Sequence, residues 1–140
     1  MKAWLLVLAL FFAGCGSIDQ VVKPVALSKD EPREICLIEN TALRQNFLAE
    51  YRNALSGKGF TIRMLPPKSS VSACPLTSTY AANWRWDLAL YLVYANLKVF
   101  RNGQLDGEAL YDSQRAGAST SRFINAGQKI RELTGQLFPR

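Results

Sequence analysis

The chain reads Trp84-Arg85-Trp86-Asp87-Leu88-Ala89-Leu90-Tyr91-Leu92-Val93-Tyr94-Ala95-Asn96-Leu97-Lys98-Val99-Phe100-Arg101. It continues directly into Asn102-Gly103-Gln104-Leu105-Asp106-Gly107-Glu108-Ala109-Leu110-Tyr111. Asn102-Gly103 decides how this stretch folds. Both central positions of a type I′ turn need positive φ, which Asn and Gly tolerate best. The turn predicts a hairpin that pairs Phe100 with Leu105 and Tyr94 with Tyr111. Upstream, Trp84, Trp86, Leu88, Leu90, Leu92 and Tyr94 alternate with Arg85, Asp87, Ala89, Tyr91 and Val93, the period of a half-buried strand. Leu97 and Val99 then take up the opposite parity, and a bulge near Asn96 accounts for the switch. The aromatic and β-branched content favours this strand over a helix across 87–99.

On the N-terminal side, a short strand over Leu76 to Ala82 precedes the hairpin, after a serine-rich loop from Lys68 to Pro75. Further back, Phe60-Thr61-Ile62-Arg63-Met64 alternates as a strand that Pro66-Pro67 stops. Leu43, Phe47, Tyr51 and Leu55 repeat every four residues on an amphipathic helix. Asn40 and Thr41 offer it N-cap oxygens, and Gly57 or Gly59 ends it in the left-handed conformation. Ile35-Cys36-Leu37-Ile38 is a continuous apolar run, as in a strand buried on both faces. On the C-terminal side, Ser119, Thr120 and Ser121 are caps for a last helix whose stripe is Phe123, Gly127, Ile130, Leu133 and Leu137. Gly127 on that stripe predicts close approach to the sheet.

The order is β-α-β-β-β-α. It predicts an α+β domain, with a mixed, mainly antiparallel sheet and two amphipathic helices on one face. That single domain spans 34–140. Residues 15–33 hold Pro24, Pro32 and a mixed-charge stretch and read as a tether. A free chain of that length reaches about 20–25 Å. Val21, Val22, Val25 and Leu27 allow part of it to lie on the domain as an edge strand.

The chain has no histidine. Ser-His and Cys-His nucleophile pairs and the commonest metal ligands are therefore absent. Asp106 and Glu108 lie about 7 Å apart along a strand, but acidic residues after a tight turn ordinarily solvate an edge. Neither catalytic residues nor a metal site nor a cofactor is expected. The 17 basic and 11 acidic residues give a net charge of +6. The basic residues are scattered, so no nucleic-acid site is expected. Tyr80, Trp84, Trp86, Tyr91 and Tyr94 crowd one region. With Trp84 and Trp86 turned to the core, Arg85 and Tyr91 face away and form a candidate docking face.

The first residues carry an address. Lys2 precedes an apolar run from Ala3 to Phe12 of about 10 residues, where a spanning helix needs about 20. The run ends in Leu10-Phe11-Phe12-Ala13-Gly14-Cys15, which resembles a bacterial lipobox; an ordinary signal peptide cut nearby is the alternative. In lipobox proteins the cysteine is lipidated and the peptide before it removed, so the resemblance implies a signal peptide over 1–14 and lipid on Cys15. Removing Lys2 leaves the mature chain at about +5. Gly16 and Ser17 follow, not the Asp that retains enteric lipoproteins at the inner membrane, which implies the periplasmic face of the outer membrane. With Cys15 lipidated, Cys36 and Cys74 remain. In an oxidising periplasm they most economically form one disulfide; two buried free thiols are the alternative.

At the level of topology and lipobox, the chain is similar to small periplasmic domains of Gram-negative envelope lipoproteins, such as LpoB-type penicillin-binding-protein activators and CsgG-type curli secretion lipoproteins. No family motif is matched residue by residue. The resemblance implies a non-enzymatic accessory protein, membrane-bound through its N-terminal lipid, with an envelope protein as partner. A lipoprotein that binds a small ligand, lipid or glycan on an aromatic sheet face is the second reading.

Overall fold

The structure, a computed structural model, describes residues 18–86, 88–116 and 124–140. The elements are β1 (Asp19–Lys23), β2 (Glu34–Ile38), α1 (Gln45–Gly57), β3 (Thr61–Leu65), β4 (Leu76–Trp86), β5 (Leu90–Arg101), β6 (Gln104–Asp112) and α2 (Ala126–Leu137). All six strands form one sheet in the order β1-β6-β5-β4-β2-β3. The β1-β6-β5-β4 part is antiparallel, and β2 runs parallel to both β4 and β3. Both helices lie on one face, giving the mixed α+β architecture that the sequence predicts.

The core forms where periodic apolar residues meet. Phe47, Tyr51 and Leu55 of α1 and Ile130, Leu133 and Leu137 of α2 are buried against Ile35, Leu37, Ala95, Leu97, Val99 and Tyr111 of the sheet. The one buried hydroxyl that α1 brings into this layer is satisfied, since Tyr51 Oη lies 2.7 Å from Ser78 Oγ. Burial pushes that phenol far above its usual range, so it stays neutral. On the opposite face Cys36, Ile38, Leu65 and Cys74 form a second, smaller cluster with Val71 packed on it. β2 is thus buried on both faces, as its unbroken apolar run requires.

Several local expectations shift. Phe100 pairs with Leu105, but Tyr94 lies opposite Asp112, and Tyr111 opposite Ala95. Asp106 is the extra residue of a bulge facing Val99 and Phe100, which moves the register by one. The parity switch in β5 comes from Val93, the unpaired residue opposite Asn83 and Trp84, not from Asn96. Leu92 and Val93 are consequently both buried. The long alternating strand also turns: β4 runs on to Trp86 and β5 starts at Leu90.

The helix starts differ too. α1 begins after Arg44 with no side-chain cap. Asn40 instead accepts from Ala42 N at 3.1 Å and donates to the Tyr80 carbonyl at 3.0 Å, holding the turn before the helix. α2 is capped by Asn125, whose side chain accepts from Gln128 N; Ser119, Thr120, Ser121 and Phe123 lie outside the described residues. A Cβ on Gly127 would sit 3.0 Å from Glu50 of α1, so this glycine brings the two helices together and not a helix to the sheet.

The segment read as a tether is largely part of the domain. β1 pairs with β6 along its whole length, from Asp19 opposite Asp112 to Lys23 opposite Glu108. Gln20 reaches α2, accepting from Lys129 Nζ at 3.1 Å and donating to Glu132 and Gln136 at 3.0 Å each. Val25 is buried, and its N–H donates to the Leu137 carbonyl at 2.8 Å. Arg101 pairs with both Glu31 and Asp106 and donates to the Ala26 carbonyl at 2.7 Å. The guanidinium holds the Glu31 carboxyl below the usual carboxylate range.

This crossing depends on Gly107. A Cβ there would meet Val25 Cγ2 at 2.5 Å and the Lys23 carbonyl at 3.0 Å. Gly107→Ala is therefore expected to displace the β1 segment and cost about 1–3 kcal/mol, as overpacking does. Chemical denaturation measures the loss, and hydrogen exchange should show it concentrated in 19–25.

Candidate functional site

The site candidates gather at one end of the sheet. Asp19, Asp112, Tyr94 and Asn83 form one row across β1, β6, β5 and β4. Beyond that row only the β4–β5 hairpin continues, through the pairs Trp84–Leu92, Arg85–Tyr91 and Trp86–Leu90. Trp84 is the anchored member. Its ring meets Phe47 edge-on at 6.0 Å, and the Arg44 guanidinium lies 5.9 Å from its centroid. Trp86 does not turn to the core as the alternation implied: it is 75% exposed. Leu88 is 93% exposed and holds φ +60°, and Leu90 is 42% exposed. A leucine with positive φ is strained, because its Cβ crowds the backbone. Asp87 lies outside the described residues.

The structure brings Arg85 and Tyr91 directly opposite each other. By strand alternation they share a face with Tyr94 and stand away from Trp84. Arg85 is exposed and donates to the Gln114 carbonyl at 3.0 Å; Tyr91 is half-buried. Further along the helix-free face lie Leu110 and Val21, which are register partners, with Val21 62% exposed. This face mixes Tyr94, Leu110 and Val21 with Lys98 and Glu108, a polar and apolar composition suited to protein contact.

Cys36 and Cys74 form a disulfide, with Cα atoms 6.2 Å apart, which joins β2 to the loop entering β4. Cys15 lies outside the described residues, four positions before the start of β1. The two carboxylates spaced along β6 both meet basic residues. Asp106 is taken by Arg101 at 3.2 Å, and Glu108 stands opposite Lys23 and Lys98. Among the described residues no group of three or more His, Cys, Asp and Glu side chains could hold a metal. Two of the cavities among the described residues are partly open to solvent. One of about 420 Å³ runs beside the disulfide, and one of about 360 Å³ lies between the hairpin and the start of α2. None of the helices among the described residues is long and apolar enough to cross a membrane.

Sequence reasoning missed the hairpin tip. Its turn carries no Gly, Pro or Asn, the residues that ordinarily mark one. The available signal was the one charge, Asp87, set among Trp86, Leu88 and Leu90.

No family model matches the chain, and no curated protein sequence matches it. Solved structures do. The PelC dodecamer from Paraburkholderia phytofirmans has a TM-score of 0.61 at 14% identity, covering 89% of this chain and 99% of that one. A methionine-substituted PelC dodecamer from the same organism has a TM-score of 0.56 at 14% identity, with 89% and 98% covered. At this identity the likeness is one of fold, over nearly the whole of each chain.

Proposed function

We propose that this chain is a lipid-anchored, non-enzymatic accessory protein on the periplasmic face of the outer membrane, which docks other proteins on the helix-free face of its sheet. The observation that carries this reading is the position of β1. The lipobox cysteine stands four residues before a strand that is paired along its length and tied to α2 through Gln20. Lipid on Cys15 would hold the whole domain against the bilayer in one orientation, which suits a scaffold. The likeness to a protein that forms dodecamers supports a first partner of a definite kind, further copies of this chain. The reading of a ligand site on an aromatic sheet face gains less support, because the mainly apolar cavity beside the disulfide is lined by no aromatic side chain.

Arg85 and Tyr91 test the docking face. Arg85→Ala and Tyr91→Ala are expected to remove crosslinks in cells, while Arg85→Ala changes folding stability by no more than about 0.5 kcal/mol. Crosslinking in cells, together with light scattering of the detergent-extracted protein, reads both the partner and the copy number. A strictly monomeric protein with an unchanged crosslink pattern in both variants would refute the docking face.

A further inference from the structure

We propose that the cavity beside the Cys36–Cys74 disulfide binds a small zwitterion with an apolar body, of the class of the apolar α-amino acids, between Glu34 and Arg63. The inference stands on the cavity alone. It needs neither the lipid anchor nor the Arg85–Tyr91 face, which lies on other strands.

The cavity holds about 420 Å³ at the start of the parallel strands β2, β3 and β4. Small-molecule sites span about 300–1,000 Å³. Two irregular segments lean over this end of the sheet. The segment before β2 brings Pro32 and is fixed by Arg101, which pairs with Glu31 and donates to the Ala26 carbonyl. The loop before β4 brings Pro75 and is fixed by the disulfide. Both walls are therefore in place before any ligand arrives. The disulfide and the two prolines make the lining mainly apolar, and polarizable sulfur packs well against a hydrocarbon chain.

Strand register sets the charges. Cys36 lies opposite Arg63, and Glu34 opposite Thr61. Residues two apart on a strand share a face, so Glu34 and Arg63 stand beside the disulfide as diagonal neighbours. Strand rise and spacing put their Cα atoms about 8 Å apart. Both line the cavity and both are exposed. Neither side chain makes a hydrogen bond or an ion pair with the described residues. Glu31, the other carboxylate on the rim, is already taken by Arg101. The two open charges of the cavity are thus one of each sign, on either side of an apolar wall.

That arrangement selects its ligand. A simple anion meets Glu34 as a like charge, and a simple cation meets Arg63. A ligand that carries both charges satisfies both groups. The planar guanidinium of Arg63 donates two parallel hydrogen bonds to a carboxylate, and the Glu34 carboxylate accepts from an ammonium group. A direct contact between Glu34 and Arg63 gains little in water, so the ligand displaces little. Its apolar side chain then leaves water for the disulfide and the prolines, which adds affinity in proportion to the area covered.

The test titrates the detergent-extracted protein, disulfide intact, with leucine up to about 10 mM, which covers millimolar dissociation constants. Saturation-transfer NMR reads contact with the leucine methyl groups, and calorimetry reads affinity. The expected result is saturable binding. N-acetyl-leucine lacks the ammonium group and leucinamide the carboxylate, and each should bind about tenfold more weakly or worse. Glycine, without the apolar body, should also bind more weakly. Glu34→Gln and Arg63→Gln should each lose about tenfold in leucine affinity at an unchanged urea midpoint, and Arg63→Gln should no longer distinguish leucine from leucinamide. Lys68→Gln, an exposed cation outside the cavity, should change nothing. Absence of leucine binding overturns the site. N-acetyl-leucine bound as tightly as leucine overturns the zwitterion. Wild-type affinity in both variants overturns the assignment to Glu34 and Arg63. Should a variant fail to fold, the leucinamide and N-acetyl-leucine comparison on the wild-type protein decides.

Discussion

Cys15→Ser is expected to move the protein from the membrane fraction to the soluble fraction and to abolish its labelling by a palmitate analogue. The thioether forms only on that sulfur, and the described residues contain no spanning helix. Fractionation after dilution should therefore leave little of the variant with the membrane. Equal labelling of variant and wild type would sink the lipoprotein reading. Because β1 is sewn to β6 and α2, the same substitution should leave the domain folded, with its disulfide intact.

The second large effect concerns that disulfide. Cys36→Ala with Cys74→Ala is expected to cost about 2–4 kcal/mol of stability, since the bond closes a long loop in the unfolded chain. The sequence separation is 38 residues, and that loop includes all of α1 and β3. The native state loses locally as well. Cys36 and Cys74 are both buried in the small cluster that covers the β2–β3 end of the helix-free face. The serine-rich loop is held there by the bond, by Val71, and through the Pro75 carbonyl, which accepts from Asn102 N at 2.9 Å. Urea midpoints with and without reductant measure the effect. The fold should persist, because the helix-side core does not include either sulfur. Identical midpoints would show that the bond contributes nothing to stability.

Much of this was legible where the physics is local. Asn102 and Gly103 have φ of +50° and +84°, as the I′ turn demands. The four-residue apolar repeat put Phe47, Tyr51 and Leu55 on the buried face of α1. The apolar run of β2 announced a strand covered on both sides. The pairing of two cysteines followed from counting. Arg85 and Tyr91 were placed on a shared face, and they are register partners, though across a hairpin and not along one strand.

What remained hidden depends on contacts between distant residues. The chain turns at Leu88 with only Asp87 to announce it, because pairing β4 against β5 fixes the ends and Leu88 accepts the left-handed backbone between them. Asp106 sits in a bulge where Arg101 holds its carboxylate, and Arg101 is fixed in turn by Glu31, from a segment remote in sequence. The sequence alone determined both helices, β2, β3, the Asn102-Gly103 hairpin and the sulfur pair, since each needs only neighbours within a turn or a simple count. Only the tertiary structure decided that residues 19–23 belong to the sheet and that Val25 packs beside them, because that requires the Cβ-free space at Gly107, where Val25 and the Lys23 carbonyl cross. It alone also decided that Trp86 and Leu88 project from the end at which the N-terminus leaves, since strand direction and register are settled by pairing across the sheet and not by the pattern of any one strand.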